Sequence, residues 1–427
     1  MRGLLLAFLL LAGSPVAAAG QAATPEREVA RIVASARFKA AAATLEREHE
    51  RTVAETITIT EIPAPPFKEG ARAQAYRDML KAVGLTEVEI DAEGNAMGLR
   101  RGTGPAGGPV VVIAAHLDPV FPEGTPITVR REGTKLHAPG IGDDSRSLAV
   151  LLAFVRAMDA AGIRTRHDIL FVGNVGEEGP GNLRGVRHLF TQGKYRDRAR
   201  VFLSMDGSTA ARIVNGGVGS KRYRITFRGP GGHSYGAFGL VNPMTAMSQA
   251  VTDLYRVQVP AKPRTTYAAS VTGGGTSVNS IPNEVFMEFD MRSEDPAALA
   301  ALEARFLEIV AAAAAGENAA RSTREGTITT DNKVIGDRPA GSTAETTPLV
   351  RWAKAAVTAH GMTPELGASS TDANLPMSLG IPAITIGSGG AGGRAHALDE
   401  WIDVEKTASV KGMQVGLAML LAAAGMQ

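Results

Sequence analysis

Cysteine is absent from this chain of 427 residues, so thiol nucleophiles, thiolate metal ligands and iron–sulfur clusters are excluded. The absence does not decide the compartment, because an exported protein can fold without disulfides. A strong excess of charge is also missing: the formal net charge is +2, and no basic stripe interrupts the sequence. We therefore expect no nucleic-acid partner. The hydrophobic fraction of 44% and the charged fraction of 21% are typical of a soluble globular protein.

The N-terminal segment has the layout of a secretory signal peptide. Arg2 precedes an apolar run from Leu4 to Leu11, and three small residues, Ala17 to Ala19, offer a cleavage site. The run is well short of the roughly 20 residues that a membrane span needs, which favours a cleaved signal over an uncleaved anchor. We predict a signal peptide at residues 1–19, an exported protein that is periplasmic or secreted, and no membrane contact after cleavage.

The remaining chain is too long for one ordinary core, and its patterns predict two domains. Residues 25–58 alternate apolar and charged positions at helical spacing, which predicts one or two amphipathic helices. Continuous apolar runs such as "PVVVIAAH" then alternate with helical segments. They predict an α/β domain with a mostly parallel sheet and helices on both faces.

The pattern changes near residue 217, where strictly alternating segments begin. Strands and helices follow in the order βαββαβ, which predicts a ferredoxin-like α+β insert. We assign residues 25–216 to the first part of the main domain, 217–335 to the insert domain, and 336–427 to the second part of the main domain.

Polar residues cluster where the buried strands end, and parallel sheets bind ligands at that edge. Each motif alone has a structural explanation: a local hydrogen bond for His-x-Asp, a helix N-cap for Asp-Asp, a solvated loop for Glu-Glu, and a turn for Asp-Gly. The residues are His116 and Asp118, Asp143 and Asp144, Glu177 and Glu178, Asp206, and His396 in a late glycine-rich loop.

The adjacent Glu177 and Glu178 are the most informative pair, because two like charges so close disfavour joint ionisation unless a positive charge compensates. A divalent cation would compensate, with one glutamate as ligand and the other acting on a water held by the metal. Two histidines and three acidic residues as ligands suit zinc, with cobalt or manganese as close competitors.

The order of these motifs resembles the dinuclear zinc exopeptidase and amidohydrolase family of carboxypeptidase G, peptidase T, aminoacylase and succinyl-diaminopimelate desuccinylase. The resemblance covers about residues 50–425, and "SSTDANLPMSLGIPAITIGSGG" is most similar to the peptidase T-like branch. It implies two zinc ions per subunit. It assigns His116 and Asp206 to one ion, Glu178 and His396 to the other, and Asp143 to both. Asp118 then orients His116, and Glu177 is the general base.

The resemblance also implies roles for residues of the insert domain. This domain resembles the family's dimerisation or lid domain, and the resemblance therefore implies a homodimer. His233 matches a histidine that reaches the partner's active site and stabilises the oxyanion. Asn279 matches a substrate-contacting asparagine. Arg292 matches an arginine that binds the substrate carboxylate, although an ordinary surface salt bridge explains it too.

The implied activity is metal-dependent hydrolysis of an amide bond. Glu177 takes a proton from the attacking water and returns it to the leaving nitrogen. Short peptides are the expected substrates, N-acyl amino acids are the alternative, and a non-catalytic metal-dependent peptide-binding protein is a third possibility. One departure from the family is the segment from Asp143 to Ser147, where arginine replaces the usual lysine one position later. The sequence leaves Asp372 to support either the sheet end or the substrate amine.

Overall fold

The computed structural model describes residues 24–427, and the predicted signal peptide at residues 1–19 lies outside them. The helices of the described chain are α1 (Pro25–Ala34), α2 (Ala36–Arg47), α3 (His49–Thr60), α4 (Gly70–Ala82), α5 (Arg146–Ala160), α6 (Arg184–Thr191), α7 (Pro243–Leu254), α8 (Pro296–Ala320), α9 (Pro348–Ala359), α10 (Asn374–Ser378) and α11 (Lys406–Ala424).

The strands of the first half are β1 (Thr86–Ile90), β2 (Ala96–Arg100), β3 (Val110–His116), β4 (Arg130–Glu132), β5 (Lys135–His137), β6 (Asp168–Asn174), β7 (Ala199–Met205), β8 (Arg212–Gly217) and β9 (Gly219–Arg228). Those of the second half are β10 (Gly232–His233), β11 (Thr265–Gly274), β12 (Ser280–Ile281), β13 (Glu284–Ser293), β14 (Thr329–Arg338), β15 (Gly341–Ser342), β16 (Glu365–Ser369), β17 (Ala383–Ile386), β18 (Ala391–Gly393) and β19 (Trp401–Asp403).

Three N-terminal helices replace the one or two that the periodicity predicted. Ser35 has extended backbone angles, and its hydroxyl accepts a hydrogen bond from the Phe38 N–H at 3.1 Å, so it caps a new helix. Helix α1 packs against α9 and α11, while α2 and α3 pack against α5. Apolar periodicity continues across such breaks, because both helices face the same core.

The central sheet of the main domain has nine strands in the order β1-β2-β6-β3-β7-β17-β8-β15, with β16 also paired to β8. Its middle strands β6, β3, β7 and β17 run parallel, and antiparallel strands extend both sides. Every residue of β3 and β6 is buried, because α5 and α11 cover one face and α6 and α10 the other. The predicted α/β class is confirmed.

The insert domain is a four-stranded antiparallel sheet in the order β11-β13-β9-β14 with α7 and α8 on one face, which is the ferredoxin-like arrangement. It has its own core, in which the rings of Phe289 and Phe306 lie 4.6 Å apart. Its last strand reaches Arg338 and so passes the predicted boundary at residue 335.

Helix α11 is the one described helix that is long and apolar enough to cross a membrane. Of the residues in its most apolar stretch, 78% are buried inside the protein. Its side chains pack with α5 and α9 in the core of the main domain, which accounts for its apolar composition.

Arg72 on α4 anchors the end of β3 through hydrogen bonds to backbone carbonyls. Its buried guanidinium donates to three carbonyl oxygens, those of Thr60 at 3.0 Å, Ile62 at 2.9 Å and Leu117 at 2.7 Å. Burial lowers the pKa of Arg72 to about 10, so the group stays charged at neutral pH. Because Leu117 lies between His116 and Asp118, this anchor positions the strand end that carries both residues.

Replacing this anchor should destabilise the fold. We expect Arg72→Leu to lower the free energy of unfolding by about 3 kcal/mol, because three buried carbonyls lose a charged donor. Arg77→Leu on the same helix is the matched control: its guanidinium bonds only to side chains of its own helix, Asp78 and Gln74, and its effect should stay within about 0.5 kcal/mol. Denaturant unfolding followed by circular dichroism measures both, and equal effects would contradict the anchoring role.

Candidate metal centre

Five predicted ligands come together at the edge where the parallel strands end, and we call them the five-ligand cluster. His116 ends β3, Glu178 follows β6 and Asp206 follows β7, so three neighbouring strands deliver three ligands. Asp143 lies in the turn Ile141–Ser145 before α5, and His396 lies in the loop between β18 and β19.

The geometry of the cluster divides it into two groups that share one residue. Nε2 of His116 lies 2.9 Å from Oδ1 of Asp143, and Nε2 of His396 lies 3.2 Å from Oδ2 of Asp143 and 3.0 Å from Oε1 of Glu178. His116, Asp143 and Asp206 form one group, and Asp143, Glu178 and His396 the other, each with ligand atoms within 4.8 Å of one another. The two oxygens of Asp143 thus face two positions.

Glu400 holds the turn that presents Asp143. Its buried carboxylate accepts three backbone N–H groups, from Gly140 at 2.9 Å, Gly142 at 2.8 Å and Asp143 at 3.0 Å. Burial raises the pKa of Glu400 to about 7, and the nearby Asp143 carboxylate adds to the rise. Because Glu400 is only four residues after His396, it ties the loop of one ligand to the turn of another.

Asp118 has a different partner from the one the sequence predicted. Nδ1 of His116 lies 2.7 Å from the backbone carbonyl of Asp118 and 4.0 Å from its carboxylate oxygen, so the carbonyl is the hydrogen-bond partner. The carboxylate accepts the N–H groups of Glu177 at 3.1 Å and Glu178 at 2.9 Å. Asp118 therefore positions the loop that carries both glutamates.

Asp144 belongs to neither ligand group. Its Oδ2 accepts the backbone N–H of His116 at 3.0 Å, and the side chain is buried. Burial raises the pKa of Asp144 well above its usual range. It therefore supports the end of β3, while its neighbour Asp143 faces the cluster.

Glu177 is buried beside the cluster but belongs to neither ligand group. Its carboxylate accepts a hydrogen bond from Nη1 of Arg338 at 3.1 Å, and Arg338 also donates to the Glu177 backbone carbonyl. Burial raises the pKa of Glu177 well above its usual range, while the Arg338 charge lowers it. The structure thus supplies a buried carboxylate with a cationic partner next to the candidate ligands.

The charges of the cluster fit bound cations. Burial, reinforced by the Asp143 carboxylate, raises the pKa of Asp206 to about 7. Hydrogen bonds to Asp143 and Glu178 raise the pKa of His396 to about 10. Without a metal ion, the negative charge of the cluster is therefore compensated by protons, either on a carboxyl group such as that of Asp206 or on the imidazole of His396. Divalent cations compensate the same charge and displace those protons, and the imidazole and carboxylate donors suit such ions.

The predicted residues of the insert domain lie outside the five-ligand cluster. His233 on β10 and Asn279 before β12 are neighbours on an exposed two-stranded ribbon, where the Ser234 N–H bonds to the Asn279 carbonyl at 2.9 Å. Arg292 on β13 bonds to Asp290 at 2.7 Å, as the salt-bridge explanation expects. The roles of all three stay predictions.

Three residues near the cluster were missed or left open by sequence reasoning. Arg338 follows the predicted insert, and Glu400 lies in "HALDEW", where only its spacing after His396 was a signal. Asp372 is buried and accepts a hydrogen bond from the Asn174 side chain at 2.8 Å, at the end of β6. This contact favours support of the sheet end over contact with a substrate amine.

Comparison with known families assigns the chain to the same family that the order of its motifs predicted. Residues 112–422 match the family described as Peptidase family M20/M25/M40, which is most of the chain. The chain belongs to this family. The predicted family resemblance is thereby confirmed, and so is the prediction of a hydrolase, because M20 members are metal-dependent peptidases and amidohydrolases.

Individual relatives of this M20 chain are distant. Succinyl-diaminopimelate desuccinylase of Acidovorax ebreus (strain TPSY) is 27% identical over 210 residues, which cover 45% of this chain and 53% of the relative. The chain thus spans about half the length of that curated relative. Aminopeptidase PepT of Bacillus cereus ATCC 10987 has a TM-score of 0.71 at 21% identity, covering 88% of this chain and 99% of its own. The YXEP protein of Bacillus subtilis, described as a dinuclear metal binding peptidase, has a TM-score of 0.64 at 16% identity, with coverages of 88% and 99%.

Replacing Asp143 should weaken the binding of both metal ions, because it belongs to both ligand groups. Asp143→Asn removes a carboxylate common to both ligand groups, so we expect both sites to weaken, whereas Asp206→Asn should weaken only one. Metal analysis after dialysis against a zinc buffer measures the number of ions retained per chain. An Asp143→Asn protein that retains as much metal as the wild type would contradict the shared position.

Proposed function

We propose that this protein is an M20 exopeptidase that cleaves an amide bond of short peptides, with zinc as its metal and Glu177 as its general base. The observation that supports this most is the placement of Glu177: it is buried beside five candidate ligands, yet none of the ligand groups includes it. A binding protein has no need of such a free base.

The five-ligand cluster supplies the residues that would hold two divalent ions, with Asp143 common to both. Such ions would polarise the substrate carbonyl and lower the pKa of the attacking water. Cobalt and manganese are possible substitutes for zinc, because their ligand preferences overlap with it.

Glu177 carries out the proton transfers. Its carboxylate takes the proton from the water that attacks the carbonyl carbon, and then gives it to the leaving nitrogen, which must be protonated to depart. Arg338 restrains the carboxylate through one hydrogen bond and the backbone carbonyl through another. It also favours the ionised form that a base requires.

The cavity beside the cluster is compatible with a small substrate. The cavity has a volume of about 310 Å³ and includes Asp143 and Asp206 in its lining. This volume is at the lower end for small-molecule sites, roughly 300–1,000 Å³, and suits one or two amino-acid residues. N-acyl amino acids are the alternative substrates, favoured by the similarity to a desuccinylase. A panel of dipeptides, tripeptides and N-acetyl amino acids separates the two.

Glu177→Gln tests the base directly. We expect kcat to fall by about 10²- to 10⁴-fold, because the amide cannot accept the proton of the water. Zinc content should stay at the wild-type value, since Glu177 belongs to neither ligand group. Glu178→Gln is the matched neighbour and should lose metal and activity together. Turnover by the metal-loaded Glu177→Gln protein at the wild-type rate would refute the assignment.

Arg338 should set the acid limb of the pH–rate profile. Its charge lowers the pKa of Glu177, so Arg338→Met should raise that pKa and leave more of the base protonated near neutral pH. The acid limb of kcat/KM should therefore move to higher pH, while Arg338→Lys, which keeps the charge, should move it less. Stopped-assay rates across pH measure both variants, and an unmoved limb in Arg338→Met would contradict this role.

We further propose that two copies associate through the insert domain. Tyr235, Phe238 and Val278 are 89%, 86% and 103% exposed on or beside the ribbon that carries His233, an unusual position for large apolar side chains. An interface there would cover these side chains and bring His233 to the partner's site.

Mixing two inactive variants tests this arrangement. A His233→Ala subunit keeps its Glu177, and a Glu177→Gln partner can supply His233 to it. If His233 acts across the interface, random re-pairing in equal amounts should restore about a quarter of the wild-type activity, because half of the dimers are hybrids with one complete site. No recovery from a mixture whose subunits demonstrably exchange would refute action in trans.

A further inference from the structure

Arg212 is a charged side chain of the main domain that the proposed chemistry does not use. It is the first residue of β8 and is exposed. Among residues 24–427, no acidic side chain forms an ion pair with it, and no side-chain hydrogen bond holds its guanidinium. Two other arginines have acidic partners, since Arg338 bonds to Glu177 and Arg292 bonds to Asp290.

The position of Arg212 places it at the same edge of the sheet as the five-ligand cluster. The Asp206 N–H bonds to the Ile386 carbonyl at 2.9 Å, and Ile386 is the register partner of Ile213. Asp206 and Arg212 therefore flank the end of β17. Because adjacent strands lie about 4.8 Å apart, the backbones that carry them are separated by roughly 10 Å.

The cavity beside the cluster contains both residues in its lining. Most of the remaining wall consists of glycine, hydroxyl and apolar side chains, and Arg212 is the one cationic side chain among the described residues that line it. The acidic side chains of the wall are committed: Asp143 and Asp206 to the cluster, and Glu400 to three backbone N–H groups. Arg212 is therefore the cationic side chain of the described wall that a negatively charged substrate group can reach.

An alternative partner for Arg212 lies on the next strand. Glu365 is its register partner on β16, but the two side chains do not form an ion pair. The guanidinium fork thus keeps its donors for a planar acceptor, and a carboxylate accepts two of them in parallel.

We propose that Arg212 determines specificity by binding a substrate carboxylate within about two residues of the cleaved amide, the reach set by the strand spacing and by about 3.5 Å per extended residue. This inference rests on the proposed amide hydrolysis and narrows it to substrates that carry a negative charge. The charge is either the C-terminal carboxylate or an acidic side chain, and the site recognises their common chemistry.

Three matched dipeptides separate the two sources of the carboxylate. Ala-Gln has only the C-terminal carboxylate, Ala-Glu-amide has only the side-chain carboxylate, and Ala-Gln-amide has neither. We expect the wild-type enzyme to favour at least one charged dipeptide. Arg212→Gln should raise KM for the favoured dipeptide about 10- to 100-fold, the range for losing one charge-assisted contact, and leave Ala-Gln-amide unchanged.

Arg200→Gln is the matched control, because Arg200 is also exposed and forms no ion pair in the described chain, but lies near the opposite end of the parallel strand β7. It should change none of the three KM values. An Arg212→Gln enzyme with unchanged KM, or with equal losses for charged and uncharged dipeptides, would overturn the proposal.

Binding measurements keep this test separate from the test of hydrolysis. In the Glu177→Gln background, calorimetry with the zinc-loaded protein reports the affinity for the same dipeptides without cleavage. Adding Arg212→Gln should weaken binding of the charged dipeptides alone. If the wild type cleaves nothing but this loss is seen, amide hydrolysis fails and the Arg212 site stands. Equal binding with and without Arg212 overturns the site itself.

Discussion

The shared carboxylate of Asp143 is the constraint on which the rest of the site depends. Two groups of ligands can act as one dinuclear centre only if a residue reaches both, and the two oxygens of Asp143 face one histidine each. A carboxylate can do this only when its backbone is fixed. Glu400 fixes it by accepting three N–H groups of the same turn, so a buried acid outside both ligand groups positions the residue that they share.

The parallel sheet makes this convergence possible at a low structural cost. Neighbouring strands end at one edge, so residues 116, 178 and 206 meet without long loops. Buried supports then fix two of these strand ends. Arg72 binds the Leu117 carbonyl and Asp144 binds the His116 N–H at the end of β3, and Asp118 binds the loop of the two glutamates after β6.

The order of motifs allowed the family and the sheet to be predicted. His116, Glu178 and Asp206 could be chosen as candidate ligands because each follows a strand whose apolar run is visible in the sequence. Asp143 and His396 follow no such run and were chosen from the order of motifs. The supporting contacts could not be predicted. Arg338 and Glu177 are 161 residues apart, and nothing local to either residue identifies the other as its partner. Likewise, Asp118 and Asp144 fit local patterns equally well as ligands, caps or supports, and only their hydrogen-bond partners in the folded chain decide among these roles.

Contacts between the insert domain and the main domain also help to position Glu177. Strand β14 of the insert domain ends beside the loop that carries Glu177 and Glu178: the Asp337 N–H bonds to the Asn182 side chain at 2.9 Å, and Arg187 bonds to the Asp337 carbonyl at 2.9 Å. Arg338 then reaches Glu177 itself. An insert domain that moved as a rigid body would break these bonds and separate Glu177 from Arg338. Motion that preserves this contact must therefore pivot at the end of β14, with Asp337 and Arg338 held against the main domain.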